Sequence, residues 1–114
     1  MKLYGIKTCD TCRKALKAFE AAGKPVTFID LRADGVSEEE IDRWIEAHGW
    51  EAVLNRRSTT WRGLCDADKT DVDADKAKAL MLANPTLIKR PVFEDQTGIT
   101  IGFGKEQQKH LLGN

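Results

Sequence analysis

The chain has 114 residues, enough for one domain around one hydrophobic core. Its 18 basic and 18 acidic residues cancel, so no global field draws it to nucleic acid or to an acidic membrane. No segment reaches the roughly 20 apolar residues of a membrane span, and an odd count of three cysteines argues against a secreted disulfide framework.

Residues 1–6 read as a buried strand. Lys7 and Asp10 follow too soon for a signal-peptide core, so the expectation is a cytoplasmic protein with reduced thiols. Cys9-Asp10-Thr11-Cys12 then opens a helical pattern. Cys12, Leu16, Phe19 and Ala22 are spaced to share one face. Gly23 and Lys24-Pro25 end that helix. Val26 to Ile29 is a second strand, and strand, helix, strand predicts parallel pairing.

Asp34-Gly35 marks a turn, and Ser37 to Glu40 is a capping box. Ile41, Trp44, Ile45 and His48 form the helical stripe behind it. Trp50 to Leu54 reads as a short helix and Asn55 to Arg62 as a polar, basic loop. Asp73 caps a further helix that stops at Asn84-Pro85. Val92-Phe93-Glu94 and Ile99 to Phe103 flank a turn as a β-hairpin, and 105–112 is a last helix. The expectation is a single α/β domain over 1–114, with a mixed sheet of about four strands and a helical insertion over about 37–84.

The chemistry lies at Cys9 and Cys12. A thiolate is the reacting species, and a helix amino terminus supplies N–H donors that stabilise one. C-x-x-C at a strand-to-helix junction therefore reads as a redox site, with Cys9 as nucleophile and Cys12 as resolving thiol. Lys7 and Arg13 are placed to favour the Cys9 thiolate. Zinc needs four ligands, and Cys65, His48 and His110 stand singly, so no metal site is expected. Cys65 reads as a small hydrophobe. Arg56, Arg57, Arg62, Lys89 and Arg90 lie in two loops, and arginine binds carboxylates and oxyanions bidentately. Arg90 is the best placed, because it precedes Pro91 at the start of a strand.

Several ordered segments together resemble the arsenate reductase (ArsC) family. They are Leu3 to Cys12, Asp30-Leu31-Arg32, Gly49 to Ala52, Leu54 to Arg62, and Ile88-Lys89-Arg90-Pro91. The match is to its YffB-type subgroup, a sibling of the Spx and MgsR regulators. The resemblance implies a thioredoxin-like fold with an inserted helical lobe. It implies that Cys9 matches the family's nucleophilic cysteine, Arg90 an oxyanion-binding arginine and Pro91 the family's cis-proline. It further implies a glutathione-dependent thiol reductase with no bound cofactor. Glutathione is then the co-substrate, glutathionylated or oxidised molecules are the substrates, and glutaredoxin is a further partner. Lys7 and Arg56 join Arg90 as candidate anion-binding residues.

Two other readings follow from the same resemblance, arsenate reduction and a redox-sensing regulator that binds RNA polymerase. Arsenate reductases of the family carry an arginine where Asn55 falls, and another in the last strand, where this chain has Gly102-Phe103-Gly104. Both departures argue against arsenate. The end of the chain soon after its last helix argues against a regulator with a longer tail.

Overall fold

The computed structural model describes residues 1–113. In chain order its elements are β1 (Lys2–Gly5), α1 (Asp10–Ala21), β2 (Thr27–Asp30), α2 (Glu38–His48), α3 (Trp50–Val53), α4 (Thr59–Arg62), α5 (Asp66–Lys69) and α6 (Ala74–Ala83). A 3-10 turn, Pro85–Leu87, precedes β3 (Val92–Asp95), β4 (Gly98–Ile101) and α7 (Lys105–Leu112). They fall into two compact units, Met1–Asp34 with the residues from Arg90 onward, and Gly35–Lys89 between them.

The first unit is a four-stranded mixed sheet of order β2-β1-β3-β4. β1 pairs with β2 in parallel, with Gly5 opposite Asp30, and with β3 antiparallel, with Leu3 opposite Phe93. A βαβ unit followed by an antiparallel hairpin and a closing helix is the mixed α/β sheet that the sequence predicts, in the thioredoxin-like arrangement that the family resemblance implies. The period-2 alternation of strands sends Leu3 and Phe93 to the same side of the sheet. There they meet Ala15 and Phe19 of α1, Phe103, and Leu111 of α7. The three phenylalanine rings form a tilted triad, with centroids 5.3, 5.8 and 6.3 Å apart. Burying each ring is worth about 1.5–3 kcal/mol, so this triad anchors α1, and with it the cysteines, to the sheet.

Two boundaries differ from the sequence reading. On α1, Ala15 is buried and Ala22 exposed, because the helix gives way to its C-cap at Ala22. β4 stops at Ile101 rather than running to Phe103. Gly102 takes φ +90 there, and its N–H turns to donate to the Pro91 carbonyl at 2.8 Å. The hairpin itself has a two-residue turn, and Asp95 Oδ1 accepts from the N–H groups of Thr97 and Gly98.

In the second unit the capping box of α2 is complete. Ser37 Oγ accepts from Glu40 N at 3.1 Å, and Glu40 Oε1 accepts from Ser37 N at 2.9 Å. Ile41 and Trp44 are buried, and α2 lies against α3 and α6. Lys78 of α6 reaches Glu38 at 2.6 Å and Asp42 at 3.0 Å on α2. Asn55 N donates to Leu87 O, and Lys89 N to Val53 O, closing the unit. The stretch read as a basic loop contains a helical turn, α4, because Ser58 Oγ caps it by accepting from Trp61 N at 3.2 Å. A second unexpected turn, α5, follows Cys65. His48 is exposed at the end of α2.

Among the described residues no helix is long and apolar enough to cross a membrane. No three His, Cys, Asp or Glu side chains among them cluster as metal ligands.

Candidate active site

The first unit brings Cys9, Cys12, Lys7, Arg90 and Pro91 into one compact body. The path from β1 to α1 is a tight turn. Cys9 N donates to Ile6 O at 2.9 Å, and Arg13 N donates back to Cys9 O at 3.0 Å. Cys9 is thus the N-cap of α1, with extended backbone angles. Its sulfur closes no conventional cap hydrogen bond, but it is near enough to the Cys12 N–H to feel that donor.

The two thiols differ sharply. Burial alone would push the half-exposed Cys9 thiol up. The Cys12 N–H, the Arg90 guanidinium and the Cys12 thiol together outweigh that, and the net shift is downward. Cys12 is 1% exposed. Burial first, and the neighbouring Cys9 second, push it up to about 12, although the Ile6 N–H works the other way. When the pair gives up a proton, the negative charge therefore falls on Cys9 while Cys12 keeps its own.

The charge that favours the Cys9 thiolate is that of Arg90. Arg90 is partly buried, and its bond to the buried Pro91 is cis. Lys7 is exposed, and its backbone is what the turn uses. Lys7 N donates to Asp30 Oδ2 at 3.1 Å, and Lys7 O accepts from Arg13 Nε at 3.2 Å. Arg56 belongs to the second unit. Its guanidinium lies 5.8 Å from the Trp50 ring centroid and 3.8 Å from the Glu51 carboxylate. Cys65 is exposed at the start of α5, with its thiol donating to Asp68 at 3.3 Å.

Sequence reasoning missed two residues that shape this turn. Gly5 lies directly against the Cys12 side chain. Asp30, at the end of β2, accepts from Lys7 as well as from Arg32 and Ala33. The turn pattern Asp30 to Asp34 signals the local bonds. Nothing local signals the bond to Lys7.

Residues 4–111 match the model of the ArsC family. A solved YffB protein is 43% identical and superimposes with a TM-score of 0.92 over 97% of each chain. An arsenate reductase (ArsC) related protein from Brucella melitensis is 40% identical, with a TM-score of 0.77 over 96% of this chain and 92% of that one. An uncharacterized protein of Haemophilus influenzae is 37% identical over 105 residues, covering 92% of both. The global transcriptional regulator Spx of Listeria innocua is 24% identical over 112 residues, covering 96% of this chain and 85% of the regulator.

Proposed function

Because the chain belongs to the ArsC family, we propose that it is a thiol-dependent reductase in which Cys9 attacks a glutathionylated or otherwise oxidised sulfur, with glutathione as co-substrate. The observation that carries this reading is the charge separation within the cysteine pair. Cys9 is half-exposed at a helix amino terminus with its ionisation favoured, beside a buried Cys12 that keeps its proton.

The Cys9 thiolate attacks the glutathione sulfur of a mixed disulfide. A Cys9–glutathione bond forms, and the substrate leaves as a thiolate that takes a proton from water. A second glutathione thiolate then attacks the glutathione sulfur on Cys9. Oxidised glutathione departs and the Cys9 thiolate returns. Arg90 serves twice in this reading: it favours the thiolate, and its fork suits a carboxylate of glutathione. Arg56 is already engaged by Trp50 and Glu51, so the reading rests on Arg90.

Cys12 is the alternative second nucleophile. Once Cys9 is bound in a mixed disulfide, its charge no longer raises the Cys12 pKa. Burial, the larger cause, remains. Cys12 attack is then slow relative to free glutathione unless the turn opens.

The experiment is a glutathione-oxidation assay that compares a glutathionylated peptide, a small disulfide and arsenate. The glutathionylated peptide should turn over fastest. Turnover of arsenate alone would replace this reading. A second reading is favoured by the Spx relative and the C-x-x-C pair, namely redox-controlled binding to RNA polymerase. A polymerase pull-down with reduced and oxidised protein separates it from the first.

A further inference from the structure

We propose that Asp30 is a positioning residue for Cys9: its carboxylate clamps the turn between β1 and α1 and so sets the reactivity of the thiol. The inference rests on the reading of Cys9 as the reacting group. Asp30 closes β2 opposite Gly5, beside the point where the chain leaves the sheet for Cys9. One carboxylate oxygen accepts from Arg32 N at 2.8 Å and Ala33 N at 3.0 Å. The other accepts from Lys7 N at 3.1 Å, across 23 residues of sequence. Asp34 holds the Asp30 backbone in turn, accepting from its N–H at 3.3 Å.

The remaining bonds of the turn run through the same few atoms. Arg13 Nε holds Lys7 O, Ile6 O holds Cys9 N, and Cys9 O holds Arg13 N. Lys7 is therefore gripped at its N–H by β2 and at its carbonyl by α1, two residues before the sulfur-bearing residue. Release of the N–H end lets the Lys7–Cys9 segment rotate, and the sulfur loses its alignment with the Cys12 N–H and Arg90. Asp30 is ionised when it does this. Burial opposes its charge, but the N–H groups of Ala33, Lys7 and Arg32, with the Lys7 ammonium, outweigh it and hold the carboxyl below its ordinary range.

The geometry separates positioning from simple electrostatics by sign. Asp30 is negative, so its field disfavours a second anion at Cys9. If Asp30 acted only through charge, its neutralisation would make Cys9 more reactive. If it acts by holding the turn, neutralisation makes Cys9 less reactive.

Asp30→Asn tests this. The amide oxygen can still accept from Arg32 and Ala33, but the amide NH2 meets the Lys7 N–H donor to donor. The readout is the rate of Cys9 alkylation by iodoacetamide against pH, resolved by peptide mass mapping, with the melting temperature recorded in parallel. Positioning predicts labelling at neutral pH slowed roughly threefold to tenfold in Asp30→Asn, because the thiolate fraction sets the rate. Equal or faster labelling overturns the inference while leaving Cys9 as the reacting thiol. If Cys9 of the parent protein labels no faster than Cys65, the reading of Cys9 fails, and the inference with it. Should Asp30→Asn not fold, amide exchange of Lys7 in the parent decides. A protected Lys7 amide supports the clamp, and exchange at the rate of an unstructured peptide overturns it.

Discussion

The Cys12 sulfur lies against the backbone of Gly5, where a Cβ would fall 2.5 Å from it. The same Cβ would come within 3.2 Å of Cys12 Cβ and 3.3 Å of Leu3 Cδ2. A strand glycine usually weakens its strand. Here it makes room for a thiol one helical turn inside α1. Gly5→Ala should force Cys12 or the start of α1 to move, at about 1–3 kcal/mol of stability. Urea denaturation measures it. An unchanged midpoint would mean that the Cys12 thiol does not depend on the space Gly5 leaves it.

Cys9 should be the first thiol to react at neutral pH. Cys12 is 1% exposed and its pKa is pushed up to about 12, so it contributes almost no thiolate. Cys65 is exposed but precedes only a four-residue helix, and its thiol donates to the Asp68 carboxylate, whereas Cys9 caps a twelve-residue helix and has the Arg90 charge. Limiting iodoacetamide followed by mass mapping should give Cys9 first, Cys65 second and Cys12 last. Labelling of Cys65 ahead of Cys9 would move the reacting thiol elsewhere.

The opposite shifts of the two cysteines also make stability depend on pH in opposite directions. Below 9.0 the unfolded chain keeps the Cys9 proton that the folded protein has released, so stability rises towards 9.0 from this group. Between 9.0 and about 12 the unfolded chain releases the Cys12 proton that the folded protein keeps, so stability falls. The limiting slope for one proton is about 1.4 kcal/mol per pH unit. Cys12→Ala should flatten the alkaline fall specifically, as read from urea midpoints at a series of pH values. The same decline in parent and variant would assign the alkaline loss to other groups.

Cys12→Ser tests the second half-reaction. If Cys12 resolves the mixed disulfide, the variant accumulates a Cys9–glutathione adduct that the parent clears. If burial keeps Cys12 out of the chemistry, both proteins show the adduct equally, and its decay follows the glutathione concentration. Intact mass after a pulse of oxidised glutathione distinguishes the two. The burial of Cys12 favours the second outcome in the folded protein.

What could be read from the sequence was what local rules encode. The capping box at Ser37 and Glu40, the helix opening at Cys9, and the final helix all depend on residues within a few positions of one another. The one-turn helices α4 and α5 escaped because four residues with a single apolar member each carry no periodicity. Ser58 is the best signal for α4, as a cap three residues before Trp61, and α5 has no side-chain cap at Cys65 to mark it. The role of Gly5 and the Lys7–Asp30 bond escaped for a different reason. Each depends on how β1 meets α1 or β2 in space, and neither leaves a pattern in neighbouring residues. The cysteines were visible from their spacing. The unequal division of charge between them needed the depth of Cys12 and the approach of Arg90.

Arg90 is the residue on which the proposed function can be tested most directly. It is partly buried, and it acts on Cys9 by hydrogen bond and by charge. A charge-assisted contact of this kind is worth about 1.5–3 kcal/mol. Arg90→Ala should therefore lower kcat/KM for a glutathionylated peptide by roughly one to two decades. It should also slow Cys9 alkylation, because one support of the thiolate is gone. Arg90→Lys keeps the charge but loses the planar fork. If Arg90 only supports the thiolate, lysine restores both alkylation and turnover. If Arg90 also holds a carboxylate of glutathione, lysine restores alkylation but leaves KM for the glutathionylated peptide raised. Kinetics unchanged in Arg90→Ala, with alkylation also unchanged and the fold intact by circular dichroism, would remove Arg90 from the site and leave the anion-binding half of the mechanism without a residue.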